Sequence, residues 1–494
     1  MSQTLNPRIL RVADIRRIET DQGRGASPPL MERAGLEATK CALALFAERS
    51  GVILVLIGAG NNGGDGFVVA RLLRDAGKEV VVASLADPAR LPPDAAAAHL
   101  AWLAAGGSIV DDFVGGQWAL VVDALLGVGV KRSLEGRYAE WVERINSFAC
   151  PVLSLDVPSG LDADTGVVHG VAVRATHTST FIALKPGLLT LDGPDHCGTL
   201  SVHDLDVDVS TLEKTGELVT LAAFRHHLKP RPHNSHKGSF GEAGVIGGAG
   251  GMVGAALLAG RAALHLGAGR VYLGLIDTRA PRVDMLQPEL MLRGPGEVLS
   301  AASALAVGCG LGQSDTAQQH LRRALGFDGP LVVDADGLNL IGSHPALAHL
   351  LQTRRAPTVL TPHPAEAGRL LRRSTVAVQA DRVSAALELA RTYRAHVVLK
   401  GCGSVIASPQ GHWHINTSGH AGLATGGTGD VLAGFIVALL AQGWDAEAAL
   451  VGAVHLHGAA ADELLEQGAG PIGLTAGELA VAARRVFNRW CLSN

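Results

Sequence analysis

The chain alternates short apolar runs with alanine-rich stretches, and this alternation restricts its fold more than any other feature. In the first half, strand-like apolar runs cover 52–57, 79–84, 119–124, 152–155 and 178–184. Helix-like stretches lie between them, at 68–76 and 95–105. Strands that alternate with helices usually pair in parallel, with helices on both faces of the sheet. This half therefore predicts an α/β fold, a Rossmann-like doubly wound sheet.

The alternation breaks between about 210 and 240 and then restarts. The segment LKPRPHNSHKGS contains two prolines and several basic residues and has no apolar period, so it predicts a linker or an exposed loop. Further strands are predicted at 243–246, 270–276, 305–308, 331–334, 358–361 and 397–399, a hairpin strand at 412–415, and helices at 430–440 and 446–465. We expect a first domain at 1–215, a linker at 216–240 that opens the second domain, and a second α/β domain at 225–494.

Composition excludes several classes of protein. Hydrophobic residues make up 47% and charged residues 18% of the 494 residues, which argues against disorder. A net charge of −4 and only 4% aromatic residues do not suit a nucleic-acid partner. The beginning of the sequence is polar and charged, unlike a signal peptide, and glycine or charge interrupts every apolar stretch. We expect a soluble cytoplasmic protein without a membrane partner, its six scattered cysteines reduced, that forms a homo-oligomer.

The segment GAGNNGGDG, at 58–66, joins a predicted strand to a predicted helix. In open α/β sheets, ligands bind at the carboxyl ends of the strands, and a helix N-terminus offers unpaired N–H groups. The glycine spacing differs from the dinucleotide fingerprint, and Asn61, Asn62 and Asp65 add side-chain acceptors. The segment therefore predicts a ligand-binding loop, with a tight structural turn as the alternative.

Two aspartates, Asp123 and Asp156, each end a predicted strand on this rim. Paired carboxylates suit a cation site or acid–base chemistry. Asp156 begins DVPSGLDADTG, whose proline and glycine predict an irregular turn that directs Asp156 and Ser159 into the crevice. Either aspartate alone is equally consistent with a helix cap.

Residues 10–210 resemble the NAD(P)HX epimerase family. The resemblance rests on GAGNNGGDG, DALLGVG at 123–129, DVPSGLDADTG at 156–166 and FIALKPG at 181–187. It implies an enzyme that interconverts the R and S epimers of hydrated NADH and NADPH, with Asp156 as the proton-transferring group and K⁺ held by Asn62, Asp123 and Ser159. The implied substrate-binding residues are Asn61, Asn62, Gly63, Gly64, Asp65, Gly127, Val128, Gly129, Val130, Lys131, Arg132, Ser133 and Asp156.

The second glycine-rich segment, NTSGHAGLATGGTGDVLAG at 416–434, leads through GGTGD into a predicted helix. Such a loop forms an anion hole from backbone N–H groups. It suits phosphoryl transfer to an alcohol, because Asp430 can take the proton of the acceptor hydroxyl. A structural glycine turn is the alternative.

Other predicted strand ends carry supporting residues. KGCGS at 400–404 follows one strand, TPHPAEA places His363 after another, and DADGLN begins at Asp334. His363 could also be an ordinary capped loop histidine, and the aspartates of DADGLN could cap a helix. The glycine run 247–251 could bind phosphate or allow close packing. The pairs His226–His227 and His455–His457 lack partners at metal-ligand spacing in the sequence, so we expect core or surface histidines.

Residues 225–490 resemble the ribokinase-like superfamily and, more narrowly, the ADP-dependent NAD(P)HX dehydratases. The motifs are NSHKGSFGEAGVIGG, MVGAALLAGRAAL, VGCGLG, TPHPAEA, KGCGS and GGTGDVLAG, with Cys309 where proline is more usual. The resemblance implies phosphorylation of S-NAD(P)HX by ADP, with Mg²⁺, followed by loss of phosphate to give NAD(P)H and AMP, with Asp430 catalytic. The implied substrate-binding residues are Ala255, Gly310, His363 and Asp430, and the implied nucleotide-binding residues are Lys400, Gly401, Cys402, Gly403, Ser404 and Gly429.

Two other functions remain open at this point. The GTGD loop is also consistent with a kinase that acts on a vitamin precursor or a sugar. The first domain could be a binding module without catalytic activity, although a scaffold has no need of the intact GNNGGDG segment and Asp156.

Overall fold

A computed structural model describes residues 8–23, 27–113, 115–210, 212 and 215–492. The chain forms two compact units, Met1–Gly216 and Glu217–Asn494. Within the described residues, no helix is both long enough and apolar enough to span a bilayer.

The first unit contains a sheet of parallel strands in the order β4–β3–β2–β5–β6–β7–β8. The strands of this sheet are β2 (Val52–Ile57), β3 (Val80–Ser84), β4 (Ile109–Val110), β5 (Trp118–Ala124), β6 (Val152–Leu155), β7 (His177–Phe181) and β8 (Thr199–His203). A short strand, β1 (Arg8–Ile9), precedes them in the chain and is not part of this sheet. The chain runs from β2 through β3 to β4 on one side of β2 and then crosses over to β5 on its other side, so the sheet has a switch point at the carboxyl end of β2. The predicted doubly wound sheet is confirmed, and ligands bind at such switch points.

Helices of the first unit cover both faces of this sheet, and two apolar clusters fill the space between helices and strands. The helices are α1 (Val12–Gly23), α2 (Leu30–Phe46), α3 (Asn61–Asp75), α4 (Pro93–Ala104), α5 (Arg137–Asn146), α6 (Pro186–Leu189) and α7 (Gly193–Cys197). Helix α5 shows why such segments become helices at a surface. Its buried Trp141, Val142 and Ile145 repeat at helical spacing, and the residues between them, Glu143 and Arg144, are charged.

Helix α3 begins seven residues earlier than predicted, because the glycine-rich segment forms its first turns instead of a loop. The glycines let backbone approach backbone. A Cβ at Gly58 would lie 1.7 Å from the Leu125 carbonyl oxygen, and one at Gly63 would lie 2.1 Å from the Gly58 carbonyl oxygen. Gly66 packs in the same way against Ala124. Glycine therefore fixes how closely α3 approaches the strand ends, which the prediction of a loop missed.

The strand predicted at 178–184 is also wrong at its end. β7 stops at Phe181, because Ile182 has a φ of 67° that ends the extended conformation. Asp156, directly after β6, has a φ of 63°. A left-handed backbone at a non-glycine residue costs about 1 to 3 kcal/mol and is concentrated at functional sites.

The second unit has a mixed sheet in the order β9–β18–β17–β16–β15–β14–β13–β10–β11–β12. Its strands are β9 (Gly216–Leu218), β10 (Glu242–Gly247), β11 (Arg270–Leu275), β12 (Met291–Arg293), β13 (Ala304–Val307), β14 (Leu331–Val333), β15 (Thr358–Leu360), β16 (His396–Leu399), β17 (Ser404–Ala407) and β18 (Trp413–Asn416). Neighbours from β12 to β16 pair in parallel, and β17 pairs antiparallel with β16 and β18. The hairpin predicted around SPQG is therefore present.

Helices surround this sheet and enclose a large apolar core, in which α16 packs closely on α8. They are α8 (Val253–His265), α9 (Pro295–Ala301), α10 (Asp315–Leu325), α11 (Ala335–Ser343), α12 (Pro345–Gln352), α13 (Pro364–Leu371), α14 (Thr375–Ala380), α15 (Arg382–Tyr393), α16 (Thr428–Ala441), α17 (Ala446–Glu466) and α18 (Ala476–Leu492). Gly434 permits the close packing, because a Cβ there would lie 2.3 Å from the Ala259 carbonyl oxygen.

Two candidate active sites

The first site is a cavity of about 1530 Å³ in the first unit, at the switch point of the sheet. Most of the predicted epimerase residues line it, including all of the segment 127–133. Gly63 and Gly64 are buried in helix α3 instead, and a Cβ at Gly64 would press against Met31 and Ala95. The structure thus divides the predicted binding segment into side chains that face the cavity and glycines that pack.

The Asp156 carboxylate faces this cavity and forms an ion pair with Lys185, which is fully buried. Lys185 also donates to the Thr180 hydroxyl at 2.8 Å and to the Phe181 carbonyl at 2.8 Å. The Phe181 N–H lies 3.3 Å from the same Asp156 oxygen. Both side chains are therefore fixed in position, with a carboxylate held at the cavity wall by a buried ammonium group.

Two more carboxyl groups, Glu19 and Asp65, also line the cavity. Burial, together with the negative charge of Asp156, raises the pKa of Glu19. Burial and the charges of Asp156 and Glu19 raise the pKa of Asp65 well above its usual value. Three carboxyl groups therefore share one wall with one lysine, an arrangement that can hold and move a proton.

Asp123 and Ser159 form a buried pair behind this wall. The Asp123 carboxylate accepts from the Ser159 hydroxyl at 2.6 Å, the Ser159 N–H at 2.9 Å, the Ser154 hydroxyl at 2.8 Å and the Leu125 N–H at 3.3 Å. Burial raises the pKa of Asp123.

Asn62 supplies the observation that bears on a cation. Its side chain is buried, yet neither the amide nitrogen nor the amide oxygen has a hydrogen-bond partner. A buried amide without a partner costs about 1 to 3 kcal/mol, so such a group calls for a ligand. An amide oxygen, a hydroxyl and one carboxylate are hard oxygen donors, and this set fits a monovalent cation in chemical type.

Lys131 lies at the edge of the cavity and pairs with Asp162 at 3.2 Å and with Asp164 at 3.5 Å. The side chain of Lys131 is 58% exposed, so these ion pairs contribute little stability and leave its charge available at the rim. Lys131 therefore contributes an accessible positive charge to the loop 127–133 that borders the cavity.

The second site lies in the second unit, where parallel strands β13, β14, β15 and β16 end at the same edge of the sheet. Asp430, in the first turn of α16, lies beside the Cys309 thiol and the Asp334 carboxylate; one ligand atom of each lies within 4.8 Å of the others. Burial, and then the negative charge of Asp334, raises the pKa of Asp430 to about 6. A carboxylate with that pKa is a competent proton acceptor near neutral pH.

Lys400 connects this cluster to the neighbouring strands. Its Nζ donates to Asp334 Oδ1 at 2.9 Å, and Thr361 donates to the same oxygen at 2.7 Å. Burial alone would lower the pKa of Lys400, but the charges of Asp334 and Glu366 outweigh it and raise that pKa. Asp334 begins helix α11 without any side-chain capping bond, so the alternative that it serves as a helix cap is not what the structure shows.

His363 has a visible structural role. Its Nδ1 accepts from the Ala365 N–H at 3.1 Å, and the Glu366 carboxylate accepts from the His363 backbone N–H at 2.8 Å, which together form a capping box at the start of α13. Its Nε2 lies 3.1 Å from Glu366 Oε1. The side chain is about half exposed, so the capping histidine keeps part of its ring accessible.

The turn at 400–404 depends on Arg382, a buried residue that the sequence did not indicate. The guanidinium donates to the carbonyls of Cys402 and Leu399, the latter at 3.1 Å. Burial lowers the pKa of Arg382 to about 10. Gly401 has a φ of 145°, and a Cβ there would lie 2.8 Å from the guanidinium, so glycine and arginine together shape this turn.

The remaining predicted residues lie around the same cluster. A Cβ at Gly310 would lie 3.1 Å from the Ala255 Cβ, and one at Gly429 would lie 3.3 Å from Lys400 Nζ. Buried His457 donates from Nε2 to the Thr428 carbonyl at 3.0 Å and so supports the first turn of α16. The structure therefore brings Ala255, Gly310, Lys400 and the pair Gly429–Asp430 together from four separate segments.

Two motifs lie outside these sites, the glycine run 247–251 and the histidine pair His226–His227. A Cβ at Gly247 would lie 2.1 Å from the Cys309 carbonyl oxygen, so close packing accounts for the beginning of the run 247–251. The expectation that the pair His226–His227 lacks an acidic partner is wrong, because Asp445 lies 3.0 Å from His227 and one ligand atom of each of the three residues lies within 4.8 Å of the others. The sequence separation of Asp445 hid this partner.

Sequence reasoning missed Lys185, Glu19, Arg382 and Glu366. Lys185 lies in FIALKPG and Glu366 in TPHPAEA, and the resemblance implied no role for either residue. For Lys185, the available signal was an ionisable residue directly after the apolar strand predicted at 178–184. Nothing local marks Glu19 or Arg382, because their partners are distant along the chain.

Comparison with protein families gives two matches. Residues 243–483 match the model described as NAD(P)H-hydrate dehydratase. Residues 27–187 match the model described as YjeF-related protein N-terminus. Each match lies within one of the two compact units.

Individual proteins resemble one or both units. The bifunctional NAD(P)H-hydrate repair enzyme of Escherichia coli strain K12 is 40% identical over 447 residues, which cover 88% of this chain and 85% of that protein. A Bacillus subtilis structure, an ADP/ATP-dependent NAD(P)H-hydrate dehydratase co-crystallised with ATP and Mg²⁺, is 33% identical with a TM-score of 0.50 and covers 55% of this chain and 98% of that one. A ribokinase-like superfamily protein of Enterococcus faecalis is 25% identical with the same TM-score, and covers 57% and 99%.

Proposed function

The chain belongs to the family of bifunctional NAD(P)H-hydrate repair enzymes, and from that premise we propose which residues carry out each reaction. Its function is the repair of hydrated NADH and NADPH, by epimerisation of R- and S-NAD(P)HX and by dehydration of the S epimer. We assign the epimerase to residues 1–215 and the dehydratase to residues 225–494, with residues 216–240 as linker and start of the second domain.

In the epimerase, Asp156 is the proton-transferring group that acts on the hydrated nicotinamide. The observation that carries this role is the Asp156–Lys185 pair at the wall of the cavity, because it fixes the carboxylate where substrate must lie. Lys185 is a positioning residue, because its ion pair with Asp156 orients the carboxylate. The segment 127–133, with Asn61, Asn62 and Asp65, holds the rest of the substrate.

K⁺ at Asn62, Asp123 and Ser159 completes the first site. The unpartnered Asn62 amide supports this assignment, since a cation would use its oxygen. When bound, the ion supplies fixed positive charge near a wall with three carboxyl groups. Asn62 and Ser159 would then orient the ligand-facing end of helix α3 and the turn after β6.

In the dehydratase, Asp430 accepts the proton of the substrate hydroxyl as that oxygen attacks the terminal phosphoryl group of ADP. AMP leaves, and loss of inorganic phosphate from the phosphorylated intermediate restores the double bond of NAD(P)H. Lys400 and the turn 400–404, with Gly429, hold the nucleotide, while Ala255, Gly310 and His363 hold the damaged cofactor. Asp334 offers a carboxylate oxygen suited to Mg²⁺, which would neutralise phosphate charge, and Asp430 beside it remains the base.

The decisive assay uses the full-length protein with ADP, Mg²⁺ and purified S-NADHX. We expect the absorbance of NADH to appear, together with AMP and phosphate in equal amounts. Accumulation of a phosphorylated alcohol without NADH would instead favour the kinase that the GTGD loop alone allows. Adding R-NADHX tests the epimerase, because NADH should form from it only when Asp156 is intact.

The remaining assignments concern the whole molecule. We expect NADHX, NADPHX and ADP as its small-molecule partners, a homo-oligomeric assembly and a cytoplasmic location. Light scattering of the purified protein checks the assembly, and fractionation of cells checks the location.

A further inference from the structure

The second site contains a sulfur atom beside two carboxylates. Cys309 follows β13, Asp334 follows β14, and Asp430 lies in the first turn of α16. Cys309 and Asp334 are buried, and one ligand atom from each of the three residues lies within 4.8 Å of the others. Because all three positions are fixed by strands and a core helix, the cluster is part of the rigid fold.

The three ligand atoms are differently engaged. Asp334 uses Oδ1 for Lys400 and Thr361, whereas its Oδ2 lies towards Gly429, 3.8 Å from the position of a Cβ there. The Cys309 Sγ lies within 4.8 Å of a carboxylate oxygen of Asp430 and of one of Asp334. A cation that displaced the thiol proton would therefore find a sulfur and two carboxylate oxygens converging on one point.

Ligand chemistry then decides which cations suit this point. Mg²⁺ prefers oxygen ligands only, whereas a thiolate with carboxylates suits thiophilic divalent ions. Around a tetrahedral Zn²⁺, a sulfur and an oxygen ligand stand about 3.6 Å apart, given bond lengths of about 2.3 and 2.1 Å. A separation within 4.8 Å reaches that value through small side-chain rotations.

Charge favours the same outcome. Asp334, Asp336 and Asp430 act on this cluster as negative groups, and Lys400 is the positive group that faces them. Space beside Gly426 is open, since nothing lies within 4 Å of a Cβ built there, and this leaves the start of α16 approachable. An excess of negative charge around a partly open cluster attracts divalent cations.

We propose that Cys309, Asp334 and Asp430 bind a thiophilic divalent cation of the Cd²⁺ and Zn²⁺ class, and that this binding inhibits the dehydratase. The cation bonds to the Cys309 thiolate, whose proton leaves to solvent, and to the Asp430 carboxylate. Asp430 then no longer accepts the substrate proton. The inhibition rests on the proposed function, whereas the binding does not.

The binding test titrates metal-free full-length protein with CdCl₂ and records the ultraviolet sulfur-to-cadmium charge-transfer band. Any of the six cysteines can contribute to this band, so the difference between wild type and Cys309→Ser is the measured quantity. Serine keeps the size but removes the soft ligand. Cys197→Ala is the matched control, because Cys197 is an equally buried cysteine in the first unit.

We expect Cys309→Ser to lose one thiolate equivalent of the band and to weaken Cd²⁺ binding by about tenfold or more, since sulfur is the preferred ligand. Cys197→Ala should keep the band of this site. Equal spectra and affinities for wild type and Cys309→Ser would overturn the proposal. Circular dichroism of each variant establishes that it is folded, and Cys309→Ala repeats the test with a smaller side chain.

The inhibition test measures dehydration of S-NADHX against Cd²⁺ concentration at constant Mg²⁺ and ADP, with each variant compared to its own rate without Cd²⁺. We expect the half-inhibitory concentration to rise by about tenfold in Cys309→Ser and to stay unchanged in Cys197→Ala. Epimerisation in the same preparation is the internal control and should persist. Equal inhibition of wild type and Cys309→Ser would overturn the inhibitory role. Absence of any dehydration would contradict the proposed function and leave the spectroscopic result to decide the site.

Discussion

The two sites use similar sequence segments in opposite ways. In the first unit, Gly58, Gly63, Gly64 and Gly66 meet backbone and side chains of neighbouring elements, and the reacting carboxylate, Asp156, follows another strand. In the second unit, Gly426 faces open space and Asp430 itself follows the glycines. A glycine-rich segment before a helix therefore predicts a position at the end of a strand. It does not show whether its glycines pack against neighbouring elements or bind a ligand.

The two carboxylates also differ in their partners. Asp156 has a buried lysine as a direct ion-pair partner. Asp430 instead lies beside a thiol and a second carboxylate, and burial, followed by the negative charge of Asp334, raises its pKa. A fixed ion pair orients a carboxylate. A carboxylate with a raised pKa and no direct lysine partner among the described residues is free to accept a proton.

Asp430→Asn should give the largest effect. Loss of the base should reduce dehydration of S-NADHX by about 10³-fold, because general bases contribute 10² to 10⁴-fold. Epimerisation by the same preparation is the control and should keep its rate. Initial rates with ADP and Mg²⁺ measure both. Dehydration at more than a tenth of the wild-type rate would show that Asp430 is not the base.

Asp156→Asn is the reciprocal change. Asparagine tolerates the left-handed backbone at this position, so the variant removes the charge without adding strain. We expect exchange between the epimers to fall by about 10²-fold while dehydration of the S epimer continues. Chromatographic separation of R- and S-NADHX over time measures the exchange. Undiminished exchange would assign the proton transfer to another group, with Asp65 as the next candidate.

Lys185→Met tests whether the ion pair orients Asp156. Removing one partner of a buried pair should cost about 3 kcal/mol in the free energy of unfolding of the first unit. The double variant Lys185→Met with Asp156→Asn should recover part of that loss, because no buried charge is then left alone. Denaturant unfolding of the three variants gives the coupling. Additive losses would mean that the two side chains do not interact in solution.

Gly58→Ala tests the packing role of the first segment. The new Cβ would lie 1.7 Å from a carbonyl oxygen, and we expect a loss of about 2 kcal/mol in stability. Gly60→Ala is the matched control, since its Cβ would meet nothing within 4 Å. Gly426→Ala is the counterpart in the second unit and should also leave stability unchanged. Thermal unfolding measures the stability of all three variants. Similar values for Gly58→Ala and Gly60→Ala would contradict the packing role of Gly58.

The smallest expected effect is the pH dependence of dehydration. Asp430 must be unprotonated to act, and its pKa is raised to about 6. The logarithm of kcat/KM should therefore rise with a slope of one below about pH 6 and level off above it. Profiles of dehydration and epimerisation on the same protein make the comparison. A dehydration rate that is constant through about pH 6 would contradict the role of Asp430.

Much of the fold could be predicted from local pattern. Alternating apolar runs predicted the parallel sheet of the first unit and the parallel part of the mixed sheet in the second, and strand ends near Asp123, Asp156 and Asp334 were predicted within a few residues. The exceptions have physical reasons. Helix α3 starts early because glycines that look like a loop in sequence are required by close helix–strand packing, and β7 stops at Phe181 because Ile182 turns to a left-handed conformation.

By itself, the sequence determined that this chain has two α/β units and that each has acidic residues at strand ends beside a glycine-rich segment. Only the tertiary structure decided which groups meet. Lys185 reaches Asp156 across 29 positions, and Lys400 reaches Asp334 across 66. Local pattern reflects the periodicity of one element, whereas the proton affinity of a carboxylate depends on burial and on charges brought from other elements. The chemistry of both sites is therefore set by packing, and the sequence indicates where to look for it.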